Sequence, residues 1–327
     1  MTVSALPGFG TDAYAQRFPA RNVVWEAKLE RQVGFLSDSI CNGRATGTPG
    51  GAEAAFFIER RFKAAGLEPM SGSGGREGYS QSFRTESGAV GHNVIGFFSG
   101  SKKVHENEYI IVGAHFDHLG KFGGKMYPGA DDNASGVAAL VSLAEMFNMS
   151  RLIGKAYFKN VIFVAFDAKE KGMAGSAAFW TALENGSFRD PETGKTIWPE
   201  MVRLMVNIDQ IGASLSPLDS GREDYILAVD GGTLGSRERE LMDWCNRIFE
   251  TNLELCHSYY GSDNFTKVFF KITDQHIFAR HKIPSVLFTS GITMNNYKPW
   301  DTTNTLNYKV LKQRIYFIWH WIEYQLY

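Results

Sequence analysis

The segment Tyr109-Ile110-Ile111-Val112-Gly113-Ala114-His115-Phe116-Asp117-His118 joins an apolar run to a cluster of polar side chains. A short, continuous run of apolar and β-branched residues is typical of a strand that is buried on both faces of a sheet. The polar residues follow directly where that strand ends. In open α/β sheets, ligands bind at the carboxyl ends of the strands. We therefore expect His115 and Asp117 to lie at a functional site.

The same succession of strand and helix continues along the chain. Further buried strands are predicted at Val161–Phe166, Arg203–Ile208 and Ser285–Phe288, and helices at Ser135–Phe147, from Ala174 onwards and at Val310–Leu326. Strands that alternate with helices form largely parallel sheets that are covered on both faces. The sequence therefore predicts an α/β fold, a three-layer sandwich whose central sheet is mixed, mostly parallel and covered by helices on both faces.

Two amphipathic helices precede this core. Val24–Leu36 and Gly51–Ala65 each keep apolar residues at helical spacing. The stretch Ser71–Gly75 is rich in glycine and serine and is predicted to be a loop. The predicted organisation is a single domain over residues 1–327, with an N-terminal extension at 1–22 and helices that pack on the core at 23–68.

Composition restricts the classes of partner. Hydrophobic residues make up 44% of the chain, charged residues make up 21%, and the formal net charge is −1. We therefore expect a globular protein with no nucleic-acid partner. The sequence has no apolar run near the roughly 18 residues of a membrane span. Its N-terminus lacks the basic and apolar regions of a signal peptide, so we expect a cytoplasmic protein, or a secreted or periplasmic one whose signal has been removed. Cys41, Cys245 and Cys256 are predicted to be buried thiols, and the sequence does not decide whether two of them form a disulfide.

Imidazole and carboxylate side chains are predicted to meet at one edge of the sheet. His115, Glu170 and Asp209 each follow a predicted strand, and Asp132 lies in the glycine-bounded loop Gly129–Gly136. Such side chains are zinc ligands, and a catalytic zinc keeps one position open for water. Paired metal ions can share a carboxylate, polarise a carbonyl and activate water. The sequence therefore predicts a zinc site suited to hydrolysis.

These motifs resemble those of the co-catalytic zinc exopeptidases of metallopeptidase family twenty-eight, which include leucyl aminopeptidases, glutamate carboxypeptidase-like enzymes and glutaminyl cyclases. The resemblance runs from about Gly43 to Leu306, with the motifs in the family's order. It implies two metal ions, a shared carboxylate and a carboxylate that orients one imidazole. The roles it implies are ligation of one ion by His115 and Asp209, ligation of the other by Glu170, bridging by Asp132 and orientation of His115 by Asp117.

Lys169 departs from the family's pattern. Relatives usually carry Glu-Glu-x-Gly, in which the first Glu is the general base, whereas this chain has Lys169-Glu170-Lys171-Gly172. An ammonium group has no acceptor, and with an ordinary pKa of about 10.4 it does not take a proton from water. Burial lowers a lysine pKa, but neighbouring carboxylates raise it again. The position of the base is therefore predicted to carry no base.

Tyr297 is the second departure. The family typically closes with Tyr-His-x-Pro-x-Asp-Thr, and alignment on Tyr297-Lys298-Pro299-Trp300-Asp301-Thr302 places Tyr297 at the ligand His. A phenol binds zinc poorly unless it is ionised. The prediction is one zinc ion at the site of His115 and a second site, that of Glu170, without its nitrogen ligand. We hypothesise that the changes are linked and that Lys169 supplies positive charge lost with one ion.

Two functions from different classes follow from these residues. The first is a zinc-dependent, aminopeptidase-like exopeptidase that hydrolyses small peptides and is weakened by Lys169 and Tyr297. The alternative is a catalytically inactive homologue that binds a peptide, an amino-acid-like ligand or a protein partner in the cleft. A one-zinc acyltransferase of the glutaminyl cyclase type fits less well, because those relatives keep the acid and the final His. His118 is interpreted as a loop-bracing histidine, with metal ligation as the alternative.

Overall fold

Nine strands form one mixed sheet in the part of the chain that the structure describes. A computed structural model describes residues 18–70, 78–100, 107–214 and 221–327, without the side chain of Tyr260. The predicted N-terminal extension is therefore described only from residue 18 onwards. The predicted loop Ser71–Gly75 lies outside the described residues.

The sheet has a parallel centre and antiparallel neighbours. Its strands are β1 (Glu68–Pro69), β2 (Ser80–Arg84), β3 (Val90–Phe98), β4 (Tyr109–His115), β7 (Asn160–Phe166), β8 (Val202–Ile208), β9 (Tyr225–Val229), β10 (Glu254–Cys256) and β11 (Ser285–Thr289). They are ordered β1-β3-β7-β4-β8-β11-β9-β10, and β2 also pairs with β3. The strands β7, β4, β8 and β11 are mutually parallel, whereas β3 pairs antiparallel with β7 and β9 with β11. A separate hairpin joins β5 (Gly120–Phe122) to β6 (Lys125–Tyr127).

Helices cover both faces of this sheet. The α-helices of the described residues are α1 (Glu26–Ser37), α2 (Pro49–Ala64), α3 (Gly136–Leu152), α4 (Ala174–Glu184), α5 (Ser236–Ile248), α6 (Asp263–Lys271), α7 (Gln275–Arg280) and α8 (Tyr308–Gln325). Short 3₁₀ turns occur at Pro19–Val23, Lys169–Lys171, Pro199–Met201, Tyr259–Gly261 and Thr303–Thr305, and a π-helical turn occurs at Ala130–Ser135.

Alternate residues of the central strands point to opposite layers. Ile110 and Val112 of β4 join the buried cluster that contains side chains of α1, α2, α3, α5 and α8. Tyr109 and Ile111 join the cluster that contains Phe179 of α4 and side chains of α7. This alternation follows from the twofold repeat of an extended strand. It confirms the predicted three-layer α/β sandwich, with a parallel centre and more antiparallel pairing at the sides than the sequence indicated.

The segment before α1 contacts the last helix. The guanidinium of Arg21 donates to Nε2 of the buried His320, through Nε at 3.1 Å and Nη2 at 2.7 Å. Lys312 of α8 forms an ion pair with Glu26 at 2.6 Å. Residues more than 280 positions apart are therefore joined at the surface where α1 and α8 pack.

Two sequence expectations concern cysteines and membranes. Cys41 and Cys245 are buried and Cys256 is half-buried, and all three are free thiols. Within the described ranges, no helix combines the length and apolar character required to cross a bilayer.

Candidate metal centre

The carboxyl ends of three adjacent parallel strands bring the predicted ligands together. His115 is the last residue of β4, Glu170 lies in the turn after β7, and Asp209 follows β8. Asp132 reaches the same place from the turn Ala130–Ser135, which precedes α3 and whose backbone is non-helical at Asp132 itself. Because β7, β4 and β8 are neighbours in the sheet, the four side chains converge at one edge.

His115, Asp132 and Asp209 have the spacing of an ion-binding group. Nε2 of His115 lies 3.3 Å from Oδ1 of Asp132 and 3.3 Å from Oδ1 of Asp209. A tetrahedral zinc ion with bonds of about 2.0–2.1 Å needs ligand atoms about 3.3–3.4 Å apart. All three side chains are buried, and Oδ1 of Asp132 has no hydrogen-bond partner among the described residues. These three residues therefore fit one zinc ion.

Asp117 connects the loop after β4 to the loop after β7. Nδ1 of His115 lies 3.1 Å from the backbone carbonyl oxygen of Asp117 and 3.6 Å from its Oδ1. The carboxylate of Asp117 accepts hydrogen bonds from the backbone N–H groups of Lys169 at 2.9 Å and Glu170 at 3.0 Å. The resemblance implied that this carboxylate orients His115. In the structure the nearer partner of the imidazole is the carbonyl, and the carboxylate fixes the neighbouring loop.

Asp301 holds the backbone of the loop that carries Asp132. Its Oδ1 accepts from the N–H of Asp131 at 2.9 Å, and its Oδ2 accepts from the N–H of Asp132 at 3.1 Å. Asp131 in turn accepts from the N–H groups of Gly212 at 2.8 Å and Ala213 at 3.0 Å. Burial, together with nearby Asp131, raises the pKa of Asp301 to about 7. Sequence reasoning gave Asp301 no role, although the residue lies in the motif used to align Tyr297.

Arg44 supports the same loop from the other side. Its side chain is fully buried, and its guanidinium donates to backbone carbonyls of α1 and of both ligand loops. The acceptors are Leu36 at 2.7 Å, Phe116 at 2.6 Å, Pro128 at 2.7 Å, Gly129 at 2.8 Å and Asp132 at 3.4 Å. Sequence reasoning also missed this role, and the only signal was the position of Arg44 in the glycine-rich segment that begins at Gly43.

The ammonium of Lys169 lies among the carboxylates. Its Nζ donates to Oε1 of Glu170 at 3.0 Å and lies 3.8 Å from both Oδ1 of Asp132 and Oδ2 of Asp209. Burial lowers the pKa of Lys169, but the three carboxylates outweigh burial and hold this pKa well above its ordinary value. Lys169 is therefore a cation at neutral pH. It offers no proton acceptor at the position that the resemblance gives to the general base.

Tyr297 lies at the mouth of the centre. Its hydroxyl donates to Oε1 of Glu170 at 3.3 Å, and 44% of the residue is exposed. Partial burial raises the pKa of Tyr297 to about 12. The phenol is therefore neutral at physiological pH, which makes it a hydrogen-bond donor to Glu170.

His118 is a buried imidazole without a hydrogen bond. Both of its ring nitrogens lack partners among the described residues, and Nδ1 lies 4.0 Å from Oδ2 of Asp132. One ligand atom each from His118, Asp132 and Glu170 lie within 4.8 Å of one another. Burial lowers the pKa of His118 to about 4, so the ring is neutral and able to bind a metal. Among the described residues the ring makes no hydrogen bond to a loop atom, and its contact with the ligand loop is one of packing against Gly129.

A cavity of about 330 Å³ opens beside the metal centre. Its polar wall carries Lys169, Glu170 and Asp209. Its apolar side is formed by Met173, Phe269, Ile272, Ile292 and the ring of Tyr297. The cavity therefore joins the candidate ion site to a surface suited to an apolar side chain.

The peptidase family M28 model matches residues 93–322. The uncharacterized protein YfbL of Escherichia coli K12 is 27% identical over 221 residues, which are 62% of this chain and 63% of YfbL. Leucine aminopeptidase 1 of Grosmannia clavigera is 32% identical over 151 residues, which are 44% of this chain and 34% of that protein. The chain thus spans less than two thirds of the length of these relatives.

A solved structure shares the whole architecture. BSAP, described as a zinc aminopeptidase from Bacillus subtilis, superimposes with a TM-score of 0.66 at 14% sequence identity, over 92% of this chain and 95% of BSAP. At that identity the likeness concerns the fold alone. The fold, the converging strand ends and a family match over more than two thirds of the residues lead to one conclusion: this chain belongs to peptidase family M28.

Proposed function

We propose that this chain is a zinc-dependent, aminopeptidase-like hydrolase of small peptides, and that its activity is reduced because residue 169 is a lysine. The observation that carries the proposal is the group formed by His115, Asp132 and Asp209, whose ligand atoms have the spacing of a tetrahedral zinc site. The family membership and the relatives named as leucine aminopeptidases support the same reaction class.

Zinc bound by this group would act as a Lewis acid on the scissile carbonyl and on water. The chain itself supplies the ligands, the positioning groups and the cleft. Asp117 and Asp301 fix the two ligand loops, so His115 and Asp132 are held in place before any ligand binds. Such preorganisation is required for a productive site, because small displacements of reacting groups cost large factors in rate.

The lining of the adjacent cavity supports one class of peptide substrate. Phe269 and Ile272 contribute apolar surface to its lining, and Asp209 and Glu170 contribute carboxylates. A free α-amino group would be attracted to the carboxylates while an apolar side chain contacted the apolar surface. We therefore expect short peptides with an apolar first residue to be the preferred substrates.

The reduction in activity follows from the ammonium at position 169. Removing a general base typically costs about 10²–10⁴ in rate. Lys169 is charged and is held by three carboxylates, so it takes no proton from the attacking water. The expected activity is therefore slow hydrolysis that still depends on zinc.

A second candidate function is peptide binding without hydrolysis. The observation that favours it is the same contact of Lys169 with Glu170 and Asp132, which leaves donors but no free acceptor at the position of the base. A cleft of this kind would still hold a peptide by its amino group and apolar side chain.

The two candidates are separated by assaying zinc-loaded protein against aminoacyl p-nitroanilides and dipeptides, alongside calorimetry with the same dipeptides. Slow release of p-nitroaniline that disappears with chelator and in Asp132→Asn supports the hydrolase. Zinc binding and dipeptide binding without any turnover support the binding protein. A purified chain that takes up no zinc would refute the proposed metal site.

A further inference from the structure

Lys169 places a single fixed positive charge at the point where the three carboxylates of the centre meet. Its Nζ lies 3.0 Å from Glu170 and 3.8 Å from both Asp132 and Asp209, and the side chain is 11% exposed. We propose that this ammonium takes the place of the second divalent ion, so that the centre holds one zinc ion per chain. The inference rests on the proposed zinc site of His115 and concerns what completes it.

Charge balance favours this substitution. Where the resemblance implies a glutamate, this chain carries a lysine, and the change from a carboxylate to an ammonium adds two positive charges. That difference equals the charge of one divalent cation. The buried carboxylates of Asp132 and Asp209 and the half-buried carboxylate of Glu170 require a compensating cation, because an unpaired buried charge is strongly destabilising. With Lys169 present, one zinc ion restores the balance that two ions would give beside a glutamate.

The backbone of Lys169 is built to aim its side chain at the centre. Its N–H donates to Asp117, and the next N–H, that of Glu170, donates to the other oxygen of the same carboxylate. The short turn Lys169–Lys171 follows Ala168, which has a left-handed φ of 60°. The origin of the side chain is thus fixed to the loop that carries His115, and the ammonium has little freedom to leave the carboxylates.

Tyr297 contacts both the ammonium of Lys169 and the carboxylate that binds it. Nζ of Lys169 lies 5.9 Å from the centroid of the Tyr297 ring, within the range of a cation–π contact. The hydroxyl of Tyr297 donates to Glu170, the carboxylate that also accepts from Lys169. Both departures from the family's pattern therefore serve the same cation, and one without the other would leave Glu170 with fewer partners.

His118 belongs to the group of residues that could bind a second ion if Lys169 were absent. Its imidazole is buried without a partner beside Oδ2 of Asp132, and its ligand atom groups with those of Asp132 and Glu170. Asn296 donates to the same Oδ2 at 3.1 Å and would have to turn away if an ion bound there. In the wild-type chain, the charge of Lys169 opposes a divalent ion at this group. Removal of that charge leaves an imidazole and two carboxylates free to bind one.

The test is a zinc titration of metal-free protein by calorimetry, with metal analysis after dialysis against trace zinc. We expect about one zinc per chain in the wild type and about two in Lys169→Glu and in Lys169→Gln, since either change removes the cation from a two-metal site. Lys171→Glu, an exposed neighbour on the same turn, is the matched control and should stay at about one. Adding His118→Phe to Lys169→Glu should return the ratio to about one, because the imidazole of the second site is lost.

Two outcomes overturn the inference: a wild type that binds two zinc ions, or Lys169 variants that both remain at one. A wild type that binds no zinc refutes the zinc site and the inference together. One zinc in the wild type without any peptide hydrolysis refutes the proposed activity but leaves the inference standing. The titration reads metal content alone, so it does not depend on turnover.

Discussion

The imidazole of His118 and the phenol ring of Tyr297 lie nearly parallel, with centroids 6.0 Å apart and ring planes inclined by 22°. His118 is buried and Tyr297 is partly exposed, so the tyrosine covers the histidine at the mouth of the centre. Position 297 therefore controls access to the buried imidazole as well as the hydrogen bond to Glu170. Substitution of Tyr297 should alter both metal binding and catalysis.

Restoring the family's residues at both departures should restore peptidase activity. Lys169→Glu supplies a proton acceptor, and Tyr297→His supplies an imidazole beside Glu170. We expect the double variant to hydrolyse leucyl p-nitroanilide about 10²–10⁴-fold faster than the wild type, the range that a general base contributes. The control is Lys171→Glu with Tyr297→His, which lacks the acceptor. Equal rates in the two double variants would contradict the assignment of position 169 to the base.

Asp132→Asn should remove bound zinc. The amide keeps the size of the side chain but loses the charge, and Oδ1 of Asp132 is the atom that faces His115 at 3.3 Å. Metal analysis after dialysis is the measurement, and Asp243→Asn, an exposed change on α5, is the control. Retention of the wild-type zinc content in Asp132→Asn would count against the ligand assignment.

Arg44→Lys should destabilise the protein and loosen the centre. The guanidinium donates to five carbonyls, and an ammonium has three donors that reach fewer of them. Buried carbonyls left without a donor cost about 1–3 kcal/mol each, so we expect the free energy of unfolding to fall by about 2–4 kcal/mol. Denaturant unfolding measures the change. The same substitution at the exposed Arg60 of α2 should leave the midpoint unaltered.

Acid should destabilise the protein through His320. Burial, reinforced by the nearby Arg21, lowers the pKa of His320 to about 2 in the folded chain, well below the ordinary histidine value of about 6.5. The folded pKa lies below the unfolded one, so the stability contribution is complete above pH 6.5 and is lost as the pH falls towards 2. His320→Gln keeps an acceptor for Arg21 without titrating. By pH 4.5 the variant should have lost about 1–3 kcal/mol less than the wild type in urea unfolding. Parallel stability curves would refute this origin of the acid sensitivity.

The parallel centre of the fold could be predicted because its strands are rich in apolar residues, and in β4 and β7 the apolar run is continuous over six residues. Val161–Phe166 and Tyr109–Ala114 read as buried strands, and the observed strands β7 and β4 differ from them by one residue at an end. The convergence of His115, Glu170 and Asp209 then follows from parallel neighbours ending at one edge. The antiparallel strands β2 and β3 were not predicted, because polar residues interrupt the apolar pattern of Ser80–Arg84. The local signal for the hairpin was Ser87-Gly88, in the tight turn where the N–H of Gly88 donates to the carbonyl of Thr85 at 2.9 Å.

The orientation of side chains was harder to predict than the positions of their backbones. The sequence placed Lys169 beside Glu170, but its contacts with Asp132 and Asp209 depend on how three loops meet. The unpartnered state of His118 depends equally on tertiary packing, because nothing near it in sequence shows which atoms surround the ring. These side-chain contacts form between elements that are distant in sequence, so no local sequence pattern predicts them.

The contact between Arg21 and His320 forms only after nearly the whole chain has been synthesised. The ligands of the zinc site lie between His115 and Asp209. Arg44, which supports the ligand loop, also donates to the carbonyl of Leu36 in α1, and α1 packs on α8, which is synthesised much later. Long-range contacts of this kind close only after the intervening chain has emerged. A nascent chain halted before α8 would therefore carry all of its zinc ligands while lacking the helix on which α1 packs. The apolar side chains that pack against α8 would stay uncovered until that helix has emerged.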